Sequence, residues 1–316
     1  MIVTVTANPS LDRTIEVGAL TRGAVHRASA FREEAGGKGV NIARALAANG
    51  HKTRAVLPCG GSDGRLLTGL LADAGIDFAT VPIGAAVRTN VSVVEDDGTV
   101  TKLNTAGPAL QGAEVDGLVA TAVDAAGSAT WAVCSGSLPP GVPDDLYARL
   151  VEALRAVGCA VAVDTSGPAL TTALAARPDV VKPNAEELAE AVGAPLATLG
   201  DAVAAAQELR RRGARAVLAS LGADGALLVD DGGAVHGEAP VAVVRSAVGA
   251  GDATLAGFLA GGGHGRAALA DALTWGAAAV GLPGTRMPGP GDLDRAAVRV
   301  HDRLDPHRPL DLGATP

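Results

Sequence analysis

The sequence predicts an α/β protein with a mainly parallel central sheet, helices on both faces of that sheet, and a small second β-sheet. Three observations support this fold class. Short β-rich runs alternate with Ala- and Leu-rich helical runs along the 316 residues. The β-rich runs are continuously apolar, as in strands that are buried on both faces. Two further segments alternate between apolar and polar residues, which is typical of half-exposed strands.

The predicted strands of the central sheet each end in a polar or Gly-rich loop. In chain order they lie in "MIVTVTAN", "TRAVLPCGG", "WAVCSGSLPPG", "AVAVDTSG", "VVKPN" and "ARAVLASLG". Ligands bind at the carboxyl ends of the strands in such sheets. These loops are therefore the expected place for a functional site.

Helical runs lie between these strands. The run "GVNIARALAANG" predicts a helix that ends at Gly50, with Ile42, Leu46 and Asn49 near one face. The runs "PDDLYARLVEALRAVG" and "DAVAAAQELRRRGA" predict two more helices. Hydrophobic residues make up 48% of the chain but aromatic residues only 2%, so the core must consist of Ala, Val and Leu.

The two alternating segments are "DRTIEVGALTRGAVHRASAF" and "RTNVSVVEDDGTVTKLNT", and Asp97-Gly98 in the second predicts a hairpin. We expect them to form a lid from residues 10–34 and 87–107. The α/β core would then consist of residues 1–9, 35–86 and 108–302. Residues 303–316 contain Pro and Gly with little periodicity, so a loose tail is expected.

Composition argues against several classes of function. The net charge is −8 and there is no basic stripe, which argues against a nucleic-acid partner but permits an anionic small substrate. Neither a secretory signal nor an apolar stretch of about 18 residues is present, so no membrane span is expected. The scattered Cys59, Cys134 and Cys159 fit a reduced, cytoplasmic protein.

The stretch "SAVGAGDATLAGFLAG" indicates phosphoryl transfer. The spacing of Leu255, Phe258 and Leu259 predicts a helix with one buried face, which puts residues 249–252 at the helix N-terminus. Such a terminus binds anions through free backbone N–H groups, and glycines let the anion approach closely. A carboxylate beside it suits a base that takes a proton from a hydroxyl attacking a phosphate. Asp252 is therefore the candidate base, with a simple helix cap as the alternative.

Two later loops carry groups suited to a nucleotide. Asn184 and Glu187 in "VVKPNAEEL" are three residues apart, so they would share a helix face and could hold Mg²⁺ through waters. A favourable helix start is the alternative. Ser220, Gly222 and Gly225 in "ASLGADGALL" would let a nucleotide lie against bare backbone, with an ordinary turn as the alternative.

Residues in the first third of the chain could bind a polar substrate. The stretch "EEAGGKGVNIARAL" puts Gly37 before a helix, with Lys38 and Asn41 near its start. Asp12 in "NPSLD" could accept hydrogen bonds from sugar hydroxyls, and Arg88 in "RTN" could bind an anionic group. A turn aspartate and a solvated arginine are the alternatives.

In this order, the blocks "NPSLD", "GGKGVNIARAL", "RTN", "SGSLPPG", "VVKPNAEE", "SLGADGAL" and "VGAGDA" resemble the PfkB/ribokinase family of carbohydrate kinases, over about residues 3–290. The "GGKGVN" and "GAGD" blocks together are highly specific. The blocks "NPSLD", "KGVNIARAL" and "SGSLPPG" resemble the phosphosugar branch. Two residues depart from the pattern: Ala247 stands where the family usually has Thr or Ser, and Ala253 stands where the phosphosugar branch often has Ser. The resemblance implies a ribokinase-like three-layer α/β/α sandwich with a small β-sheet lid.

The resemblance also implies a role for each motif residue. Asp252 would be the catalytic base. The site for the transferred phosphate would consist of Gly249, Ala250 and Gly251. The ATP site would include Lys182, Asn184, Glu187, Ser220, Gly222 and Gly225, with Asn184 and Glu187 holding Mg²⁺ through water. The sugar site would include Asp12, Gly37, Lys38 and Asn41, with Lys38, Arg88 and Ser137 as candidates for the existing phosphate of the sugar.

The expected activity is therefore a cytoplasmic, ATP- and Mg²⁺-dependent phosphorylation of a sugar phosphate. The favoured reaction converts fructose 1-phosphate to fructose 1,6-bisphosphate. Tagatose 6-phosphate and fructose 6-phosphate are alternative substrates. A ribokinase or nucleoside kinase and a non-catalytic sugar-phosphate sensor are more distant alternatives. A homodimer joined through the lid is also expected from the resemblance.

Overall fold

The computed structural model describes residues 1–311, which form fourteen β-strands and nine α-helices. The strands are β1 (Ile2–Thr6), β2 (Ser10–Val17), β3 (Ala30–Gly36), β4 (Thr53–Cys59), β5 (Asp77–Pro82), β6 (Arg88–Glu95), β7 (Val100–Asn104), β8 (Trp131–Ser135), β9 (Ala160–Asp164), β10 (Val180–Val181), β11 (Ala216–Ser220), β12 (Ala226–Asp230), β13 (Gly233–Glu238) and β14 (Arg299–Val300). The helices are α1 (Lys38–Ala48), α2 (Gly61–Asp73), α3 (Gly112–Ala126), α4 (Leu146–Ala156), α5 (Gly167–Ala175), α6 (Ala185–Val192), α7 (Leu199–Arg211), α8 (Ala250–Ala260) and α9 (Gly265–Val280). None of these helices has the length and apolar character needed to cross a membrane.

Ten strands form the central sheet, in the order β14-β13-β12-β11-β10-β9-β8-β1-β4-β5. Neighbouring strands from β11 to β5 are parallel, whereas β12, β13 and β14 add antiparallel pairs at one edge. The strands β1, β8, β9 and β11 are almost entirely buried, which agrees with their continuous apolar sequences. Their carboxyl ends meet at one edge of the sheet, where the polar loops follow.

Helices cover both faces of this sheet. Side chains alternate along a strand, so Val3 and Val5 of β1 pack in the core with α3 to α7, while Ile2 packs on the other face with α1, α8 and α9. A third cluster joins α1 and α2 to β4. The three-layer sandwich predicted from the sequence is confirmed.

Four strands form a separate small sheet in the order β3-β2-β6-β7, which we call the lid sheet. Strand β2 pairs antiparallel with β3 and parallel with β6, and β6 and β7 form the hairpin predicted at Asp97-Gly98. Asp12 on β2 lies directly opposite Asn90 on β6. The small second sheet predicted from the alternating patterns is confirmed. The finer boundaries, 10–34 and 87–107, stay a prediction.

Four strands of the central sheet were not predicted from the sequence. Edge strand β5 has the sequence DFATVP, which contains no continuous apolar run, and only one of its residues is buried. The antiparallel strands β12 and β13 form a hairpin that follows β11 after a short turn, and β14 has only two residues. Short edge strands and hairpins lack the strand–helix alternation on which the prediction depended.

The predicted loose tail differs from the structure as far as residue 311. The backbone N–H of Leu199 donates to Arg308 O at 2.9 Å, and that of Leu310 donates to Ala197 O at 3.0 Å. Residues 308–310 therefore lie against the start of α7. The segment is held by backbone hydrogen bonds, which require no periodic pattern of apolar side chains. The sequence pattern therefore gave no sign that residues 308–310 are ordered. Residues 312–316 of the predicted tail lie outside the described residues.

Candidate active site

The N-terminus of α8 forms the centre of the candidate site. Gly249 is its N-cap residue, with a φ of 79° that favours glycine. A Cβ on Gly249 would lie 2.5 Å from Met287 Cε, and one on Gly251 would lie 3.2 Å from Lys182 Nζ. The first backbone N–H groups of a helix have no intrahelical acceptor. These amides and the Lys182 ammonium group together suit the binding of an anion.

Asp252 lies buried in the first turn of α8. Its Oδ2 accepts a hydrogen bond from Asn41 Nδ2 at 2.9 Å. Burial, and then the negative charge of Asp164, raise the pKa of Asp252 from its ordinary value of 3.8 to about 7. A carboxylate with a pKa near neutrality is suited to accept a proton from a hydroxyl group at physiological pH.

Asp164, at the end of β9, is fully buried and contacts two lysines. Lys38 Nζ lies 2.8 Å from Asp164 Oδ1, and Lys182 Nζ lies 3.3 Å from Asp164 Oδ2. Burial opposes ionisation of Asp164, but the two ammonium groups outweigh it and lower its pKa. Burial likewise opposes the charge of Lys38, yet Asp164 and then Glu187 raise the pKa of Lys38. Lys38 and Lys182 therefore lie among the carboxylates of Asp164, Glu187 and Asp252, so the cluster pairs its charges and leaves no large surplus of either sign.

Asn184 and Glu187 cap the start of α6 reciprocally. The backbone N–H of Glu187 donates to Asn184 Oδ1 at 2.7 Å, and that of Asn184 donates to Glu187 Oε2 at 2.8 Å. The other carboxylate oxygen, Oε1, lies 3.6 Å from Lys38 Nζ. The helix start that the sequence left as an alternative is therefore present. One oxygen of Glu187 still faces the charged cluster.

The predicted nucleotide loop follows β11 and begins beside α6. Ser220 pairs with Asn184 in an isolated parallel bridge. Gly222 has a φ of +62°, and a Cβ built on it meets no atom within 4 Å. Gly225 has a φ of +80°, and a Cβ there would clash with the carbonyl of Gly237. The loop therefore presents open backbone at Gly222, whereas Gly225 is needed for the close approach to Gly237. Contact of the loop with a nucleotide stays a prediction.

Asp12 and Asn90 form a polar pair on the lid sheet. Asp12 Oδ1 accepts hydrogen bonds from Ser10 Oγ at 2.7 Å and from Asn90 Nδ2 at 2.9 Å. A Cβ on Gly36 would collide with the Asp12 carboxylate, so this position on the neighbouring strand needs glycine. Gly37 follows as the N-cap residue of α1, which carries Lys38 and Asn41.

Arg88 lies at the start of β6. Its Nη1 donates to Thr105 O at 3.2 Å, whereas its buried Nε has no hydrogen-bond partner among the described residues. Burial lowers the pKa of Arg88, although the charge of Asp12 opposes this. An incompletely satisfied, half-buried guanidinium group is suited to an anionic ligand. Ser137 lies exposed on another loop, where its Oγ accepts a hydrogen bond from Asn8 Nδ2 at 3.5 Å.

The predicted residues fall into two groups. Direct contacts join the first group, which consists of Asn41, Lys38, Asn184, Glu187, Lys182, Ser220 and Asp252 with the glycines before it. The second group consists of Asp12 and Arg88 on the lid sheet and Ser137 beside Asn8. Lys38 belongs to the first group, so its charge acts beside Asp252 and Asp164, while that of Arg88 acts beside Asp12.

The sequence analysis missed Asp164 and Asn90. Asp164 directly follows the buried run "AVAV" of β9, so it stands at a strand end where ligand-binding loops are expected. That position was the available signal, but an aspartate before Thr-Ser-Gly is equally typical of a turn. No sequence signal indicated Asn90, because it reaches Asp12 only through the register in which β2 pairs with β6.

One cluster among residues 1–311 could hold a metal ion by composition alone. His236, Glu238 and His301 offer ligand atoms that lie within 4.8 Å of one another. However, Glu238 accepts hydrogen bonds from Arg308 Nη1 and Nη2 at 2.8 and 3.0 Å. Its carboxylate already has a cationic partner, so the cluster is better described as an ion-pair network.

A buried carboxylate, a helix N-terminus suited to an anion and a glycine-rich loop therefore lie at the ends of the central strands, and comparison with known proteins assigns the family. A family model described as pfkB family carbohydrate kinase matches residues 5–290. The chain belongs to the pfkB family of carbohydrate kinases. This pfkB kinase is therefore a sugar kinase that transfers a phosphate to an alcohol group, with ATP as the co-substrate that the family implies.

Individual relatives agree with this assignment. A 1-phosphofructokinase of Rhodobacter capsulatus is 40% identical over 306 residues, which cover 95% of this pfkB kinase and 96% of the relative. The crystal structure of phosphofructokinase-2 from Escherichia coli in complex with fructose-6-phosphate has a TM-score of 0.83 at 33% identity, covering 92% and 96% of the two chains. Ribokinase from Arabidopsis thaliana shares the fold, with a TM-score of 0.70 at 22% identity over 94% and 96%. The ribokinase-like fold expected from the sequence is confirmed.

Proposed function

We propose that this pfkB kinase transfers the γ-phosphoryl group of ATP to the C6 hydroxyl of fructose 1-phosphate. The observation that carries the proposal is the buried Asp252 carboxylate at the N-terminus of α8, beside the ammonium group of Lys182. The choice of sugar is supported by the similarity to the 1-phosphofructokinase of Rhodobacter capsulatus. A buried base beside an anion-binding site is what phosphoryl transfer to a hydroxyl requires.

In the proposed reaction, Asp252 accepts the proton of the C6 hydroxyl. The hydroxyl oxygen forms a bond to the γ-phosphorus, and the bond from that phosphorus to the oxygen it shares with the β-phosphate breaks. Asn41 orients the carboxylate by donating to Oδ2. The backbone amides of the N-cap residue Gly249 and of Ala250 and Gly251, together with Lys182, would stabilise the negative charge on the transferred group. The Ala250 N–H makes only a long hydrogen bond of 3.4 Å, to Ala247 O, which the phosphate would replace.

Asn184 and Glu187 fit a Mg²⁺ ion held through water. Carboxylate and amide oxygens are the hard donors that Mg²⁺ prefers, and Mg²⁺ keeps several of its waters. Glu187 Oε1 is not part of the helix cap, and its contact with Lys38 Nζ at 3.6 Å is longer than a hydrogen bond, so this oxygen could also accept from a metal-bound water. When bound, the ion would neutralise phosphate charge. Ser220, Gly222 and Gly225 would contact the nucleotide on the same side.

At the sugar end, Asp12 would accept hydrogen bonds from sugar hydroxyls while Asn90 and Ser10 hold its carboxylate. Gly37 would lie beside the sugar at the start of α1; its φ of 112° and the contact that a Cβ would make with Thr6 explain the glycine. Arg88 and Ser137 would bind the phosphate that the sugar already carries. The unpartnered Nε of Arg88 supports this role, because a phosphate would supply the missing acceptor.

A panel of sugars tests the substrate. We expect release of ADP from ATP to be fastest with fructose 1-phosphate, compared with fructose 6-phosphate, tagatose 6-phosphate, ribose and adenosine. Arg88→Ala should raise KM for the phosphosugar about a hundredfold, because a charged hydrogen bond to phosphate is lost. Its effect on unphosphorylated fructose should be small.

Arg211→Ala is the matched control, since that arginine is exposed on α7 and far along the chain from the lid sheet. Fastest turnover with fructose 6-phosphate, the sugar in the Escherichia coli structure, would keep the mechanism and change the substrate. Sugar binding without ADP release would contradict a catalytic role.

We also propose that two copies associate through the lid sheet. Residues directly opposite in register share a face, so Ile15, Val93 and Phe31 lie on one face, and Leu103 lies on the same face two positions along. Phe31 is 56% exposed and Leu103 is 60% exposed, so apolar surface is open to solvent in one copy. Association would cover it.

The oligomeric state tests this proposal. Light scattering should give the mass of a dimer, and Phe31→Asp combined with Leu103→Asp should give a monomer. Val157→Asp, which alters an exposed valine at the end of α4, should leave the dimer intact. A monomeric wild-type protein at micromolar concentration would contradict the proposal.

A further inference from the structure

The C-terminal segment reaches the predicted nucleotide loop through the side chain of Arg308. Arg308 Nη1 and Nη2 donate to the two carboxylate oxygens of Glu238, at 2.8 and 3.0 Å. Nη2 also donates to Asp224 Oδ1 at 3.2 Å. Asp224 is the last residue of the 3-10 turn that begins at Gly222. One arginine therefore ties the end of β13 to the nucleotide loop.

Asp224 is held by three further partners. Its Oδ2 accepts a hydrogen bond from the backbone N–H of Asp311 at 2.7 Å. Its carbonyl oxygen accepts from His236 Nε2 at 2.7 Å, and its own N–H donates to Leu221 O at 3.2 Å. The Asp224 residue is 7% exposed, so the carboxylate side of this ion pair is buried, while the Arg308 side chain stays partly exposed. The loop is thus fixed from β13 on one side and from the C-terminal segment on the other.

The segment that carries Arg308 is itself anchored. Its backbone pairs with the start of α7, where Thr198 and Pro309 form an isolated antiparallel bridge. Glu238 is also contacted by His301 Nε2 at 2.6 Å, and the His301 ring stacks on the His236 ring with centroids 5.2 Å apart. The hydrogen bonds from Arg308 lower the pKa of Glu238 to about 2, so the bidentate pair persists over the physiological range of pH. Arg308 is therefore held in place by contacts other than the one with Asp224.

We propose that Arg308 is a positioning residue for the nucleotide, which acts by holding Asp224 and with it the backbone of Gly222. The inference rests on the proposed function, in which ATP lies against Gly222 and Gly225. Arg308 touches no substrate in this account. A displaced loop weakens the binding of ATP and leaves the sugar site intact, because Asp12 and Arg88 lie on the separate lid sheet.

The effect should therefore be specific to one of the two substrates. We expect Arg308→Ala to raise KM for ATP about tenfold. KM for the phosphosugar should change less than twofold. Arg308→Lys keeps one charge but cannot make the bidentate pair and the third bond together, so it should give an intermediate value. Asp224→Asn should also raise KM for ATP, and the double variant should lose less than the sum of the two single losses, because both variants weaken the Arg308–Asp224 contact.

Arg303→Ala is the matched control, because Arg303 is an exposed arginine in the same segment. Calorimetric titration of ADP into each variant gives affinity without turnover, and thermal unfolding of the free protein gives stability. A rise in KM for ATP and in Kd for ADP, with the sugar KM unchanged, is the expected result. A lower Tm with both KM values unchanged would show a merely structural role and overturn the inference.

Equal rises in the KM for ATP and in the KM for the phosphosugar would also overturn the inference about Arg308.

The proposed function is tested separately, because it predicts turnover by the wild-type protein. A wild-type protein that releases no ADP with any sugar of the panel would reject the function before any Arg308 variant is compared. Arg308→Lys keeps the test valid should Arg308→Ala fold poorly.

Discussion

Asp252→Asn is expected to lower kcat by about three to four orders of magnitude, the usual contribution of a general base aided by its position. The amide cannot accept the proton of the attacking hydroxyl. It has nearly the same shape as the carboxylate, so the Kd for the phosphosugar should change little. Turnover is measured by release of ADP, and sugar binding by calorimetry. Near-normal turnover by this variant would remove Asp252 from the role of base.

Stability provides an internal control for this variant. The folded-state pKa of Asp252 is about 7, above its ordinary value of 3.8, so the folded protein holds a proton that the unfolded chain releases. This contribution to stability is complete below about pH 4 and is lost as pH rises through about 7. Asp252→Asn removes the titration, and we expect its Tm at pH 8 to exceed that of the wild type. An inactive and less stable variant would point to misfolding instead.

The same carboxylate predicts the pH dependence of the reaction. A base acts when it is deprotonated, so kcat/KM should rise with pH around a midpoint near 7 and then level off. A midpoint near pH 4 would mean that the pKa of Asp252 is not raised in the working enzyme and would contradict this prediction.

The second large effect is expected from Asp164→Ala. This change leaves Lys38 and the 3%-exposed Lys182 without their buried carboxylate. Removing one partner of a buried ion pair costs about 3–5 kcal/mol of the free energy of unfolding. We expect that loss in a urea titration. We also expect a loss of turnover, because the ammonium group beside Gly251 is no longer held in place.

A compensating variant separates stability from activity. Asp164→Ala combined with Lys182→Met removes both charges of one buried pair, and such replacements are often neutral for stability. We expect the free energy of unfolding to recover while turnover stays low. In the milder Asp164→Asn, loss of the negative charge should lower the pKa of Asp252 and move the midpoint of kcat/KM to lower pH. An unchanged midpoint would contradict the coupling between the two aspartates.

The sequence by itself determined the fold class and the class of reaction. Short continuous apolar runs that alternate with helical runs are typical of buried parallel strands, and runs that alternate between apolar and polar residues are typical of a half-exposed sheet, so local patterns indicated both sheets. Asp252 and the glycines before it were identified for the same reason. The helix start, the small residues and the carboxylate are neighbours in the chain, and their joint chemistry is local.

Only the tertiary structure decided which distant residues meet. Asp164 joins Lys38 and Lys182, which lie on α1 and after β10, because parallel strands bring their carboxyl ends to one edge. The pKa of Asp252 depends on the burial of its carboxylate and on the charge of Asp164, and neither can be inferred from the residues next to Asp252 in the chain. Residues 303–311 look unstructured in sequence, yet Arg308 reaches Asp224 across 84 positions. Contacts of this kind depend on packing in three dimensions, and no local period encodes them.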